Sequence, residues 1–395
     1  MNFDFGWSFH LGDVPAARQP DFDDSHWRTL DLPHDWSIEQ PFDLDNPSGW
    51  RGAYLPGGTG WYRKTFTWKK AAAKRVFIRF DGVYMNSDVY INGHHLGNRP
   101  YGYISFQYDL SPYLKNGRNV ISVRVDNSKL PSGRWYTGSG IYRHVTLAVT
   151  GSVYIPQWGT FIITPQVSRE KAETRIQTSI QNRSDKPKAI TLQTEIISPE
   201  GVVVSRQLQS LRLDTGITPI TQNTLITKPL LWSPETPVSY RVVHRLKDGS
   251  QVMDEYTTYF GIRSIRINAT DGFVLNGRQL KLKGVSNHHD AGPVGAAVPE
   301  DVLYRRLKLL KAMGCNAIRT AHYPAAPEFY TMCDTLGFLV LNEAFDGWDE
   351  PKAPYDYGLY FKEWWQKDLT DFIKRDRNHP SVVMWSIGNE VPGFK

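Results

Sequence analysis

The sequence has few cysteines, no long hydrophobic run and no cluster of basic residues. Its two cysteines, Cys315 and Cys333, lie in amphipathic segments and offer neither a disulfide framework nor the spacing of a zinc site. No segment approaches the run of about 18 apolar residues that a membrane helix needs. The formal net charge of +6 is scattered along the chain, whereas nucleic-acid binding needs charge gathered on one face. We therefore expect no membrane partner and no nucleic-acid partner.

A secretory signal is also missing from residues 1–20, which lack a charged segment followed by an apolar one. The compartment stays open on this evidence. The protein is periplasmic or extracellular if a signal peptide was removed, and cytoplasmic otherwise.

Aromatic residues, by contrast, are abundant, with 13 Trp, 20 Tyr and 18 Phe among 395 residues. Most of them are expected to fill the cores of β-sheets, and some could face a sugar. At roughly 150 residues per domain, the length predicts roughly two to four domains.

Residues 1–150 predict an all-β domain. Short strand-like segments recur there between turn signals such as Asn92-Gly93 and Asn116-Gly117. Asn-Gly between two such segments is a strong hairpin signal. Many short strands joined by Gly and Pro turns favour a β-sandwich of the jelly-roll type.

Five motifs in this domain carry a resemblance to a known family. They are LPHDW (32–36), GWYRKTF (60–66), VYINGHHLG (89–97), VRVDNS (123–128) and RWYTGSGIYRHV (134–145). In this order they resemble the N-terminal sugar-binding domain of glycoside hydrolase family 2. That family contains β-galactosidases, β-glucuronidases and β-mannosidases. The resemblance implies an enzyme whose partner is an oligosaccharide or glycoside substrate.

Residues 151–262 predict a second all-β domain, with candidate strands at 174–181, 189–197 and 239–247. Strands at this spacing favour an immunoglobulin-like β-sandwich. No catalytic motif lies in this segment, and we expect it to act as a rigid spacer.

Residues 263–395 change to alternating strands and helices. Strands are predicted at 280–285, 316–320, 338–341 and 382–387, and helices at 300–313, 326–336 and 361–377. This alternation predicts a parallel sheet with crossover helices, and a (β/α) TIM barrel is the leading architecture. Four strands are expected where a barrel needs about eight, so only the first half is expected to be present. Its open edges favour a homo-oligomer.

The last predicted strand leads through an apolar run to Asn389 and Glu390. An ordinary buried strand followed by a polar turn fits the run alone equally well. In a TIM barrel, however, the strand ends carry the chemistry. The family resemblance implies that Glu390 is the catalytic acid/base, with a pKa raised by burial, and that Asn389 binds the sugar hydroxyl next to the reacting carbon.

Retention of configuration needs two carboxyl groups, about 5 Å apart, of which the second attacks the sugar. The family's nucleophilic Glu lies at the end of the seventh strand, and no residue of this sequence is assigned to it. Residues 1–395 alone are therefore expected to be inactive.

Substrate contacts are expected at the ends of the three earlier strands, from His289, Asp290, Arg319, His322, Asp346 and Trp348. The family resemblance implies those of residues 284–290 and of His322, whereas Asp346 and Trp348 are candidates because a Trp face can stack on a pyranose ring. His289 and Asp290 are preferred over His288. Arg319 is expected near the carboxylate of the acid, where a positive charge adjusts its pKa. Arg134 and Trp135 could reach the rim of the pocket, or could pack on each other inside the β domain.

A metal site is not expected. Neighbouring side chains on a strand point to opposite faces, so His288 and His289 cannot both bind one metal unless the backbone turns. The magnesium-using β-galactosidases place a Glu and a His shortly after the third strand, where this sequence has Gly347 and Asp349. We expect no cofactor, since the usual magnesium pattern is not matched.

The sequence therefore predicts a multidomain, retaining exo-β-glycosidase that acts on terminal β-linked sugars. The HHD and RTAHYP strings resemble the β-galactosidase branch and favour β-D-galactosides. A β-glucuronidase, a β-mannosidase and a non-catalytic carbohydrate-binding module are the alternatives.

Overall fold

A computed structural model describes residues 1–69 and 74–391. The last four residues of the third predicted domain, 392–395, lie outside this description. Of the helices in the described ranges, none is both long and apolar enough to cross a membrane.

The N-terminal part of the chain is a β-sandwich. Its strands are β1 (Trp7–Leu11), β2 (Arg28–Leu30), β3 (Gly58–Trp68), β4 (Arg75–Phe80), β5 (Ser87–Ile91), β6 (His94–Arg99), β7 (Phe106–Asp109), β8 (Gly117–Asn127) and β9 (Val145–Thr150). They form a six-stranded antiparallel sheet in the order β2-β1-β3-β8-β5-β6 and a three-stranded sheet in the order β7-β4-β9. Alternate side chains of β4, β5 and β8 point inward and are buried in one core, because successive strand residues face opposite sides of a sheet.

The middle part is a second sandwich, as the sequence predicts. Its strands are β10 (Val153–Tyr154), β11 (Thr160–Val167), β12 (Lys171–Asn182), β13 (Lys188–Ile197), β14 (Val203–Leu213), β15 (Gly216–Thr227), β16 (Tyr240–Asp248) and β17 (Gln251–Phe260). In one sheet β12 pairs with β10, β11 and β15, and the other sheet has the order β14-β13-β16-β17.

The C-terminal part begins with a small antiparallel sheet and continues as alternating strands and helices. Its elements are β18 (Ile265–Asn268), β19 (Gly272–Leu275), β20 (Arg278–Gln279), β21 (Gly284–Asn287), α1 (Glu300–Ala312), β22 (Ala317–Thr320), α2 (Pro327–Leu336), β23 (Leu339–Glu343), α3 (Phe361–Asp376) and β24 (Val382–Ser386). The strands β21-β22-β23-β24 are parallel and lie in sequence order. This strand–helix alternation is the predicted pattern for the first half of a TIM barrel, and it brings four carboxyl ends of strands to one edge.

Two predicted strands of this part need correction. The first begins at Gly284 rather than at residue 280, because the amide of Leu280 donates to the carbonyl of Phe273 and continues the preceding hairpin. The last was expected to be buried on both faces, yet Trp385 is 41% exposed. Among the described residues β24 pairs with β23 alone, so its other side is open within that part of the chain.

Buried polar contacts join the first sandwich to the C-terminal part. Arg99 forms ion pairs with Asp368 and Asp371 of α3. Asp35, from the LPHDW motif, accepts a hydrogen bond from the amide of Ala296 in the loop between β21 and α1. Arg143 donates to the carbonyl of Pro324, after β22. The sandwich is thereby held against the strand ends.

Candidate active site

A cleft lies where the first sandwich meets the ends of the parallel strands. Its lining combines Tyr101, Tyr103 and Trp135 of the sandwich with residues that follow β22 and β23, among them His322, Asp346 and Trp348. Three of the predicted strand-end residues, His322, Asp346 and Trp348, therefore line a pocket that two domains form together.

Glu343, the last residue of β23, is the centre of a buried polar network. Its carboxylate, 1% exposed, accepts hydrogen bonds from Arg319 (2.8 Å from Nη2), His322 (2.7 Å from Nδ1) and Ser386 (2.7 Å from Oγ). Burial alone would raise the pKa of Glu343, but these hydrogen bonds outweigh it and hold the pKa below its usual value. The carboxylate is thus ionised and fixes the two basic side chains.

The same network sets the tautomer of His322. An ionised carboxylate only accepts hydrogen bonds, so Nδ1 carries the proton that is donated to Glu343. Within the part of the chain that the structure describes, Nε2 has no hydrogen-bond partner and is free for another group.

Asn389 is held from two sides just beyond β24. Its side-chain oxygen accepts from Nη2 of Arg319 at 2.8 Å, and its side-chain nitrogen donates to Asp346 at 2.9 Å. Burial would raise the pKa of Asp346, but hydrogen bonds from Arg134 and Asn389 lower it below its usual value. Asn389, Asp346, Arg319 and His322 are therefore brought together as the sequence predicts.

Glu390 follows Asn389 and points toward the sandwich. Its carboxylate lies 3.1 Å from Nη1 of Arg134 and 3.9 Å from Nζ of Lys352. The burial expected for this acid is not found, since the side chain is 68% exposed. Glu390 also has a backbone φ of 45°, a left-handed conformation that costs strain in a residue other than glycine.

Arg319 does not reach Glu390, contrary to the expectation. It lies on β22, and Glu343 of the intervening strand β23 takes its guanidinium in a bidentate ion pair. The cation that faces Glu390 comes instead from the sandwich. Arg134 binds Asp346 in a bidentate ion pair, at 2.8 and 2.6 Å, with its third nitrogen toward Glu390.

Arg134 and Trp135 were expected either at the rim of the pocket or packed on each other inside the β domain. The structure places them at the rim. The ring of Trp135 lies 5.8 Å from that of His322 and 5.0 Å from that of Tyr323. The indole nitrogen of Trp135 donates to the hydroxyl of Tyr103.

The preference for His289 and Asp290 over His288 stays a prediction, since none of the three residues lines the cleft. The ring of His288 lies 5.6 Å from that of His322 and beside Trp135. His289 instead packs against Tyr142 and Tyr323 and lines a separate cavity near α1. Burial and the charge of Arg143 hold the pKa of His289 well below its usual value.

Asp290 also lies outside the lining of the cleft. Its carbonyl accepts a hydrogen bond from Arg306 of α1. Strand β21 ends at Asn287, so the alternation of faces does not extend to residues 288–290.

Trp348 lines the cleft, and its ring stacks on Phe361 at 6.1 Å. Its indole nitrogen donates to the carbonyl of Ile387, which fixes it against the end of β24. A role in binding sugar stays a prediction.

Lys352 is a site residue that reasoning from the sequence misses. Its Nζ donates to the carbonyls of Asp346 (2.7 Å) and Asn389 (2.5 Å) and lies 3.2 Å from the Asp346 carboxylate. A single lysine between two prolines has no spacing that would mark it.

A group of possible metal ligands lies away from these strand ends. Among residues 1–69 and 74–391, one group has possible ligand atoms that all lie within 4.8 Å of one another. It consists of His144, Glu300 and Glu328. The hydrogen bond to Asp4 raises the pKa of His144 to about 9. His144 forms ion pairs with Asp4 at 2.8 Å and Glu300 at 3.5 Å, which use both of its ring nitrogens.

Comparisons with known proteins match the whole chain to one family in three segments. Residues 6–151 match the model described as "Glycosyl hydrolases family 2, sugar binding domain". Residues 153–263 match "Glycosyl hydrolases family 2", and residues 265–394 match "Glycosyl hydrolases family 2, TIM barrel domain".

Individual relatives are similar over almost the entire chain. A β-galactosidase of Bacteroides ovatus, BoGH2A, is 51% identical over 99% of this chain and 46% of its own length. A putative β-glucuronidase of Formosa agariphila is 45% identical over 99% of this chain and 37% of its own length. The chain spans less than half the length of these two curated relatives.

Solved structures agree with the fold. The crystal structure of a β-glycosidase from Bacteroides vulgatus matches with a TM-score of 0.95 at 50% identity, over 100% of this chain and 51% of that one. A β-glucuronidase from Bacteroides uniformis matches with a TM-score of 0.88 at 30% identity, over 99% of this chain and 47% of that one.

Proposed function

Because the chain belongs to glycoside hydrolase family 2, we propose that the protein is a retaining exo-β-glycosidase that hydrolyses terminal β-D-galactosides. The observation that carries the proposal is the position of Glu390. It lies four residues beyond the end of β24, at the edge of the parallel sheet where His322, Asp346 and Asn389 also lie. Side chains at this edge of a TIM barrel carry out its chemistry.

Glu390 first donates a proton to the oxygen of the leaving group. It then accepts a proton from the water that hydrolyses the glycosyl-enzyme. Its exposed carboxyl group is accessible to both. The neighbouring carboxylates of Glu343 and Asp346 each accept hydrogen bonds from at least two side chains, which makes them poor nucleophiles. We assign the nucleophile to no residue of this chain, in keeping with the family's placement of it on the seventh strand.

Two fixed groups are suited to bind the sugar. The side-chain oxygen of Asn389 accepts one hydrogen bond from Arg319 and has a second lone pair for a sugar hydroxyl. His322 offers Nε2, because Glu343 occupies Nδ1. The faces of Trp135 and Trp348, both in the lining of the cleft, give apolar surface for a pyranose ring.

The charges at the cleft support a neutral sugar. Arg134, Lys352 and Arg319 are each already paired with Asp346, Glu390 or Glu343. A uronate would have to displace one of these carboxylates to reach a cation of the described chain. The relative with 51% identity carries the name β-galactosidase.

A β-glucuronidase is the second candidate, since a relative with 45% identity is named a putative β-glucuronidase. Rates of the full-length protein on nitrophenyl β-galactoside, β-glucuronide and β-mannoside decide among the candidates. We expect the galactoside to be cleaved fastest, and Glu390→Gln to lower that rate by about 100-fold or more. Hydrolysis of none of the three would overturn the enzymatic proposal.

A non-catalytic carbohydrate-binding module would behave differently. It would bind sugar saturably without turnover, and Glu390→Gln would leave that binding unchanged. Self-association into a homo-oligomer stays a prediction, which sedimentation of the full-length protein can test.

A further inference from the structure

Arg134 connects two carboxylates, of which Asp346 follows β23 and Glu390 follows β24. Its Nε and Nη2 bind the two oxygens of Asp346, and its Nη1 lies 3.1 Å from Glu390. All three nitrogens of the guanidinium therefore face carboxylates of the C-terminal domain, although Arg134 itself belongs to the first sandwich.

The segment around Arg134 is held in place independently of these ion pairs. Trp135 donates from its indole nitrogen to Tyr103 at 3.0 Å. The hydroxyl of Tyr136 donates to Asp35 at 2.6 Å, and the amide of Ser139 donates to the same carboxylate at 2.9 Å. Arg134 thus reaches the cleft from a rigid stretch of the sandwich.

Glu390, by contrast, has little that fixes its side chain. It is 68% exposed, and the described chain gives its carboxylate two partners, Arg134 at 3.1 Å and Lys352 at 3.9 Å. Lys352 is engaged by the carbonyls of Asp346 and Asn389. The shorter contact, with Arg134, therefore sets the direction of the carboxyl group.

We propose that Arg134 is a positioning residue that directs the carboxyl group of Glu390 toward the leaving oxygen of the substrate. The sandwich domain then sets the geometry of proton transfer, in addition to lining the cleft. This inference rests on the proposed function, because it assigns Arg134 to the same acid/base step. A small displacement of a catalytic group lowers a rate steeply, so loss of Arg134 acts through Glu390.

The dependence of the rate on the leaving group separates this role from a structural one. A poor leaving group, such as methanol, must be protonated as the bond breaks, whereas 2,4-dinitrophenolate leaves without a proton. The measurement is kcat/KM, which reports the steps through cleavage of this bond and not the later hydrolysis of the glycosyl-enzyme.

In the full-length protein we expect Arg134→Gln to lower kcat/KM on methyl β-galactoside by about 10- to 100-fold. On 2,4-dinitrophenyl β-galactoside the change should stay within about threefold, because no proton is needed. Equal losses on both substrates, or no loss on either, would overturn the inference. If the unmodified protein cleaved neither of the two galactosides, the proposed function would be overturned instead.

Arg134→Lys keeps a positive charge and serves if Arg134→Gln does not fold. A lysine cannot hold two carboxylates with a planar fork, so we expect an intermediate loss on the methyl glycoside alone. The matched control is Arg124→Gln. Arg124 bridges Asp13 and Asp126 in the same sandwich and is similarly exposed, 23% against 27% for Arg134, but it pairs with neither Asp346 nor Glu390. Arg124→Gln should leave the ratio of kcat/KM on the methyl glycoside to kcat/KM on the dinitrophenyl glycoside unchanged. A change in this ratio like that of Arg134→Gln would count against the inference.

Discussion

Nδ1 of His322 lies 2.7 Å from the carboxylate of Glu343, and Arg319 binds the same carboxylate in a bidentate ion pair. The two basic residues come from the end of β22 and the acid from the end of β23. Glu343 therefore joins neighbouring strand ends through one buried charge. If Glu343 lost its charge, Arg319 and His322 would face a neutral acid or amide, which accepts their hydrogen bonds less well than a carboxylate does.

Replacement of Glu343 by Gln should destabilise the protein. Breaking a buried ion pair from one side leaves the other charge uncompensated, and we expect a loss of about 3 kcal/mol in the free energy of unfolding. Urea denaturation measures it. Glu255→Gln is the control, because Glu255 pairs with Arg245 at the surface and is 51% exposed. That variant should lose less than about 1 kcal/mol, and equal losses in both would contradict the prediction.

The sequence predicted most of the framework because its patterns are local. Strand alternation located the sandwich strands within a few residues, and the apolar run before Asn389 identified the strand that places Glu390. The observed partner of Glu390, Arg134, differs from the expected one, Arg319, for a physical reason. Arg134 and Asp346 are 212 positions apart, and no periodicity links a turn in one domain to a strand end in another.

The histidines after β21 show a second limit. Alternation of faces holds only while the chain stays in a strand, and β21 ends at Asn287. Beyond that residue the order in the sequence no longer tells which ring faces the cleft. The sequence alone favours His289 for the substrate, whereas in the structure His288 lies beside His322 and His289 lies among tyrosines.

His288→Ala and His289→Ala should therefore have different effects. The ring of His288 lies beside His322 and Trp135, so its loss should raise KM about tenfold with little change in stability. The ring of His289 is packed against Tyr103, Tyr142 and Tyr323, and its loss should cost about 2 kcal/mol of stability through the cavity left behind. Steady-state kinetics and thermal unfolding of both variants measure this, and each serves as the control for the other. The reverse pattern would restore His289 as the pocket residue.

His244 should make the second sandwich less stable in acid. The side chain is 0% exposed, and burial lowers the pKa of His244 from 6.5 to about 4. Above pH 6.5 neither the folded nor the unfolded chain holds the proton. Between that value and about pH 4 only the unfolded chain takes it up, so stability falls as the pH falls. From pH 7 to 5 we expect this residue to remove about 2 kcal/mol.

Urea unfolding of His244→Gln at pH 7, 6 and 5 checks this expectation, since the variant should lose this part of the pH slope. Thr194→Val is the control. It removes the hydroxyl that contacts Nδ1 of His244 at 3.0 Å, but it keeps the titrating ring. It should lower stability without flattening the slope, whereas a slope unchanged in His244→Gln would contradict the assignment.

Removal of metal ions should leave hydrolysis largely intact. The carboxylates of Glu343, Asp346 and Glu390 each already face an arginine or lysine side chain, so their charges are balanced without a cation. After dialysis against EDTA we expect the rate on nitrophenyl β-galactoside to stay within about twofold of the untreated rate. A loss of about tenfold that magnesium restores would instead indicate a metal ligand set. Calcium added in place of magnesium is the control for a general effect of divalent ions.

The carboxylate of Asp35 is completed by donors from two domains. It accepts hydrogen bonds from the amides of Ser37 and Ser139, from the hydroxyl of Tyr136, and from the amide of Ala296. Burial raises the pKa of Asp35, so the charge depends on these donors in place of water. If the sandwich were excised for use as a sugar-affinity tag, this carboxylate would lose the Ala296 donor, and the rehydrated surface around it would relax. The segment that matches the sugar-binding domain is therefore smaller than the structural unit that these polar contacts hold together.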